Sequence, residues 1–261
     1  MKNLGIYPFG QTVKQVIQND KSPKRVFVLG VYASAVHAKW IGSDNKIKVR
    51  ALAVASEPEI FWRGENVKEI VDQINIPSEL GRLVPAGPMF NGPSGIALDE
   101  LILKPLGLTR SDAWLSDLLP QSCLNPSQKI AIEREYLPLI SQYNLPETTL
   151  SGVPRIFADE KRREEIAKEL IESKADVLIL LGDKPIQQFL KFFDNRWKKL
   201  SDFQREDGKY GDLHNSIILD KPIKILPIAH PRQIAKLGRS SARWYDLHQE
   251  WIGNGPRILL R

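Results

Sequence analysis

Cysteine is almost missing from this chain: Cys123 is the only one in 261 residues. A single thiol excludes an internal disulfide and any metal or cluster site built from several thiolates, and it fits a reducing cytoplasm. Histidine is scarce as well. His37, His214, His230 and His248 are the four present, scattered without ligand-like spacing, so neither a bound metal nor a cofactor is expected. Long hydrophobic runs are lacking too. The strongest, Val177 to Leu181, falls far short of the roughly 20 residues that span a bilayer. The first residues show no signal-peptide succession of charged, apolar and small residues. These absences lead to the expectation of a soluble, cytoplasmic protein with no membrane partner.

What is present suits a globular enzyme-sized domain. Hydrophobic residues make up 42% and charged residues 26%, enough for one sizeable core, so residues 1–261 are read as a single domain. Lys and Arg outnumber Asp and Glu by 37 to 31, a net charge of +6. That moderate surplus suits phosphate-bearing partners, although it also serves simply as a solubilising surface.

Along the chain, strand-like runs alternate with helix-like ones. Residues 25–31, 47–56, 112–118, 175–182 and 223–228 read as strands, the first two as neighbours in one sheet. The run Val177-Leu178-Ile179-Leu180-Leu181 has the uninterrupted apolar character of a central strand buried on both faces. Helices are expected over Ile96–Leu103, Gln128–Ser141, Asp159–Ser173, Pro185–Phe193 and Arg239–Trp251, with Asp159 capping its helix. Residues 194–221, rich in charge, Asp and Gly, read as a surface insertion. Between Pro85 and Gly95 the Pro- and Gly-rich chain must form a shaped loop. Strand, helix, strand in this order implies right-handed crossovers and a mostly parallel sheet between helical layers, hence an α/β fold. Three strands end in polar or turn residues: Gly30 to Ser34, Asp117, and Ala229-His230-Pro231-Arg232. In open α/β sheets ligands are handled at such carboxyl ends.

Taken together, Gly30-Val31-Tyr32-Ala33-Ser34, Gly87 to Gly95 ahead of Leu98-Asp99, Asp117, Leu180-Leu181-Gly182 and His230-Pro231 resemble the uracil-DNA glycosylase superfamily, particularly its iron–sulfur branch, over roughly residues 25–252. The resemblance implies a three-layer αβα sandwich with a central, mostly parallel four-stranded sheet. It implies a DNA base-excision glycosylase that hydrolyses the N-glycosidic bond of a flipped, deaminated base, without a cofactor. The cluster of that branch is not expected, since it needs four cysteines and Gln121-Ser122 stand near where one ligand would fall.

The resemblance also assigns roles. His230 would donate to the base oxygen as negative charge develops on the leaving base, helped by backbone N–H groups near Val31 and Tyr32 in the turn from Gly30 to Ser34. Phe90 would stack on the flipped base. Asp117 would contact the base edge where many relatives carry asparagine. A protonated Asp117 would suit uracil, an ionised one would accept from the amine of cytosine, and hypoxanthine presents an edge similar to that of uracil. Apart from the resemblance, Arg232, Gln233, Arg239, Ser240, Ser241 and Arg243 surround the start of the last helix, where backbone N–H groups favour a phosphate. With His37, Lys39 and Trp40 opposite they would hold single-stranded or duplex DNA, or else form a solvated helix face. The resemblance implies that Arg232-Gln233-Ile234 wedges into the gap left by the base. The protein is expected to act as a monomer. Val31 and Tyr32 stand where active relatives place a polar or acidic residue that guides water. This departure sustains an alternative, a catalytically weak or inactive DNA- or nucleotide-binding protein of the same fold. A third reading is an enzyme acting on free nucleosides or nucleotides.

Overall fold

The computed structural model describes residues 4–204, 208–237 and 242–256. In chain order the strands are β1 (Val26–Tyr32), β2 (Ala35–Ile41), β3 (Ile47–Ser56), β4 (Arg82–Pro85), β5 (Ala113–Leu119), β6 (Val177–Leu181), β7 (His214–Ile218) and β8 (Lys221–Ile228). The α-helices are α1 (Val67–Asp72), α2 (Pro93–Leu98), α3 (Pro126–Glu135), α4 (Ile140–Tyr143), α5 (Glu160–Glu172), α6 (Asp183–Gln188), α7 (Pro231–Ile234) and α8 (Ala242–Gly253). A π-helical turn, Asp99–Leu103, extends α2. The chain forms two compact units, one from residues 1–16, 33–93 and 121–155, the other from 17–32, 94–120 and 156–261.

The second unit carries the α/β sheet, in the order β5-β1-β6-β8-β7. The first four strands run parallel and β7 is an antiparallel edge. β6 sits in the middle, and all five of its residues are buried. That is why its sequence is an unbroken apolar run: helices cover a parallel sheet on its faces, so neither side of a central strand meets water. α5 begins after Asp159, whose carboxylate accepts from the Arg162 N–H at 2.9 Å. Its buried stripe of Ile166, Ala167 and Leu170 follows from helical spacing. The expected four-stranded parallel core is present, extended by β7. Residues 194–221 do not form a mere surface insertion: they supply that edge strand and bury Leu200, Phe203 and Tyr210. Trp197 stacks on Phe203 at 4.2 Å, an apolar anchor hidden among charged neighbours.

The first unit contains a sheet not expected from sequence, in the antiparallel order β3-β2-β4. Residues 47–56 therefore pair with β2 and not with β1. The physical reason is local. Only a short turn separates β2 from β3, closed by Gly42 N–H to Lys46 C=O at 2.8 Å with Asn45 left-handed at φ 60°. So brief a connection joins antiparallel neighbours, whereas a parallel partner needs a long crossover. Around this sheet Phe9 packs edge-on against Trp40 at 5.4 Å and Tyr136 at 5.1 Å. Trp40 donates from Nε1 to Leu80 C=O at 2.8 Å. Pro138 interrupts the helix expected over Gln128–Ser141, which becomes α3, a 3₁₀ turn at Leu137–Leu139 and α4.

The loop after β4 is braced by Asn91. Its side chain accepts from the His37 N–H at 2.8 Å and donates to His37 C=O at 3.0 Å and Ala86 C=O at 3.2 Å. Gly92 follows with φ 80°, and a Cβ there would stand 2.1 Å from the carbonyl carbon of Arg63. Gly92→Ala is expected to destabilise the protein by at least about 1–3 kcal/mol through left-handed strain and backbone collision. A urea titration of the variant against wild type checks this.

Candidate functional site

The parallel sheet brings four strand ends to one edge of the second unit. β5 delivers Asp117, in register with Gly30 of β1. The ladder between β1 and β6 stops at Leu29 and Leu180, while that between β1 and β5 continues to Tyr32 and Leu119. The flank of Gly30 and Val31 facing β6 therefore leaves the ladder at the level of Asp117. β6 is followed by Gly182, and β8 by Ala229 and His230. Asp117 and His230 lie on strands three places apart in the sheet, about 14 Å at the usual ~4.8 Å spacing.

His230 caps the four-residue helix α7. Its Nδ1 accepts from the Arg232 N–H at 3.3 Å, and its own N–H donates to Gln233 Oε1 at 3.3 Å. Burial of the ring, aided by the Arg232 cation, pulls its pKa down to about 4, so the imidazole is neutral at pH 7. With Nδ1 occupied as an acceptor, the ring proton sits on Nε2. Gly182 lies against His230, where a Cβ would make an ordinary 3.4 Å contact with the His230 Cβ; it is the left-handed φ of 84° that favours glycine here.

Asp117 is 3% exposed. Among the described residues no hydrogen bond reaches its carboxyl group. Desolvation raises its pKa to about 7, with Glu169 adding to the rise and the Arg162 cation opposing it. Near neutrality this carboxyl is thus divided between a form that offers a donor and an acceptor and a form that only accepts.

Arg162, which sequence reasoning passed over, holds this strand end. It donates to Asp117 C=O at 2.8 Å, Ser116 Oγ at 3.0 Å, Glu169 at 2.8 Å and Glu165 at 3.3 Å, with its side chain only 12% exposed. Ser116 in turn donates to Glu169 at 2.7 Å. A signal was present: Arg162 stands four residues before Ile166 and eight before Leu170, on the buried stripe of α5, where an isolated charge needs a partner. Arg162→Leu is expected to cost about 3 kcal/mol by leaving Glu169 unpaired. Chemical denaturation should show part of that loss restored in the double variant Arg162→Leu, Glu169→Leu.

The remaining candidates divide between the units. Val31 and Tyr32 are part-buried, and Tyr32 stacks on Phe157 at 5.7 Å and 5°. Arg232 is exposed and Gln233 part-buried, but the Gln233 side chain is already bonded to the His230 N–H. Ile234 is fully buried, so it cannot wedge into DNA as expected. Arg239, Ser240 and Ser241 lie outside the described residues. Phe90 and Ser34 belong to the first unit. Phe90 is 44% exposed on its braced loop and does not plug the core. Ser34 is fixed by its backbone, its N–H donating to Glu57 at 3.0 Å and its C=O accepting from Ser122 Oγ. In β2 His37 and Trp40 are buried and Lys39 is part-buried.

Among the described residues no helix is long and apolar enough to cross a membrane. No family model matches the chain, and no curated protein is significantly similar to it.

Proposed function

We propose that this protein is a DNA base-excision glycosylase with a uracil-DNA glycosylase-like αβα sandwich, hydrolysing the N-glycosidic bond of a flipped, deaminated base. The observation that carries this reading is His230: a neutral imidazole at a strand's carboxyl end, its Nδ1 tied to the Arg232 N–H and its Nε2 proton left to donate.

When the glycosidic bond lengthens, the sugar gains oxocarbenium character and the base gathers negative charge on its oxygens. A fixed N–H aimed at such an oxygen strengthens as the charge grows, which lowers the barrier instead of merely tightening ground-state binding. The leaving base departs as an anion held by His230, water adds to the oxocarbenium carbon, and the proton that this water gives up passes through solvent to the base nitrogen. The backbone at Gly30 and Val31, out of its ladder on the β6 side, would supply further donors. A protonated Asp117 would pair with the edge of uracil, its hydroxyl donating to O4 and its carbonyl accepting from N3–H. Exposed Arg232 and the positive net charge of +6 favour DNA as the carrier of the base.

Val31 favours a second reading. It supplies no carboxylate to orient water, and the Tyr32 ring is engaged with Phe157, so a binding protein without turnover would share this geometry. Single- and double-stranded oligonucleotides carrying uracil, hypoxanthine, xanthine or cytosine, assayed for abasic sites, separate the two. Release of uracil supports the glycosylase. Salt-sensitive binding with no release from any substrate supports the binding protein, and release from free nucleosides alone overturns both.

A further inference from the structure

We propose that Tyr210 is a positioning residue that fixes where His230 points, acting through a buried hydrogen-bond chain that ends on the Ala229 N–H. The inference rests on the reading of His230 as the donor to the leaving base. β8 stays paired with β6 as far as Ile228, whose C=O accepts from the Gly182 N–H at 2.7 Å. Ala229 is the next residue and is fully buried, so its N–H must find a partner away from the ladder. The Tyr210 hydroxyl oxygen accepts it at 3.0 Å.

The protons along this chain follow from the end that cannot vary. Leu101 C=O, in the π-helical turn, can only accept, so His248 Nε2 donates to it at 2.7 Å. Burial draws the His248 pKa down to about 4, the Leu101 bond opposing, and the ring is neutral with Nδ1 as its acceptor. Tyr210 therefore donates to Nδ1 at 2.8 Å, which turns a lone pair towards Ala229. The hydroxyl cannot rotate away without leaving a buried partner unsatisfied.

Packing holds the chain in place. Tyr210 meets the His248 ring edge-on at 5.7 Å, and His248 lies 4.9 Å from Trp251 on the same helix. Gly211, at φ 78°, lies so close to Trp251 that a Cβ would come within 2.3 Å of the indole. The peptide before His230 is thereby referenced to α8 and to the π-helical turn. A shift of about 1 Å in a reacting group can cost on the order of 100-fold in rate, so an anchor one residue from the donor bears on catalysis while touching no substrate.

The test compares Tyr210→Phe with wild type at a temperature where both are folded, by single-turnover uracil release and by 15N NMR of the His230 imidazole without DNA. Expected are a rate reduced about 10- to 100-fold, a KM within about two-fold, and His230 nitrogen signals that shift from the Nε2–H form towards exchange between tautomers. Unchanged rate and unchanged His230 signals in folded Y210F overturn the inference. Should wild type release no base, the glycosylase reading fails, and the His230 signals alone decide the positioning role. If Y210F does not fold, His248→Leu, which removes the acceptor, should slow release several-fold. His248→Asn, which sets an amide where Nδ1 stands, should recover most of that loss. Equal rates in those two variants would overturn the inference.

Discussion

His230→Ala is expected to reduce single-turnover base release by about 100- to 1,000-fold, the loss of one preorganised donor to a developing oxyanion, or roughly 3–4 kcal/mol of barrier. Affinity for the oligonucleotide should change little, because the bond to the base oxygen gains its strength only as the base departs. The direction of the pKa shift adds a second expectation. Since the folded-state pKa is about 4, below the ordinary histidine value, the imidazole remains neutral through mildly acidic solution. Protonation of Nδ1 would displace its bond from the Arg232 N–H and free the ring, so wild-type release should hold between pH 6.5 and 5, where an unperturbed imidazole would lose it. Filter binding alongside abasic-site detection measures both quantities. A variant that keeps wild-type release would remove His230 from the chemistry.

Asp117→Asn is expected to abolish the alkaline limb of uracil release. In wild type the carboxyl, with its pKa raised to about 7, loses its proton as pH rises, and the carboxylate then repels O4 of uracil. Release should fall about tenfold per pH unit above that point. An amide offers the same donor and acceptor at every pH, so the variant should hold its rate and exceed wild type by about 100-fold at pH 9, while matching it within a few-fold at pH 6. Stability moves in the same sense. The folded-state pKa lies above the unfolded one, so the protonated form is favoured by folding. Its stabilising contribution is complete below the unfolded pKa near 4 and is lost as pH rises through about 7. D117N removes that loss and should unfold at higher urea than wild type at pH 9, by at most about 4 kcal/mol of difference. Cytosine release by wild type that rises above pH 7 would instead assign the ionised carboxyl to an exocyclic amine.

The legible parts of this fold were those with one strong local cause. β1, β5, β6 and β8 announce themselves as apolar runs, and α5 by its cap and its stripe. β2 carries a strand pattern, Val36, Ala38 and Trp40 alternating with His37 and Lys39, but it follows β1 so closely that the two are hard to separate, and its pairing with β3 is fixed by the turn at 42–46. β7 hides inside a charge-rich stretch whose Trp197 and Phe203 contact is nonlocal to the strand itself. The division into two units, each built from three separated segments, depends on contacts that no local pattern encodes.

Within the site, the positions of His230 and Asp117 at strand ends could be read from sequence, but their protonation could not. The Nε2 proton of His230 depends on the Arg232 N–H reaching Nδ1. The neutral tendency of Asp117 depends on a burial that leaves its carboxyl without a hydrogen bond from any described residue. Tyr210 and His248 are 38 residues apart and meet only through the packing of α8. Gln233 reads as a DNA contact from the basic residues around the last helix; its side-chain oxygen also accepts from the His230 N–H in capping α7, a bond that no local pattern shows.

The most direct test of the account is the pH dependence of single-turnover uracil release by the wild-type protein. A neutral His230 and a protonated Asp117 must coexist, so the account predicts a plateau bounded by an acid fall near pH 4 and an alkaline fall near pH 7. Absence of release at every pH, or a rate that climbs through pH 7, would contradict it.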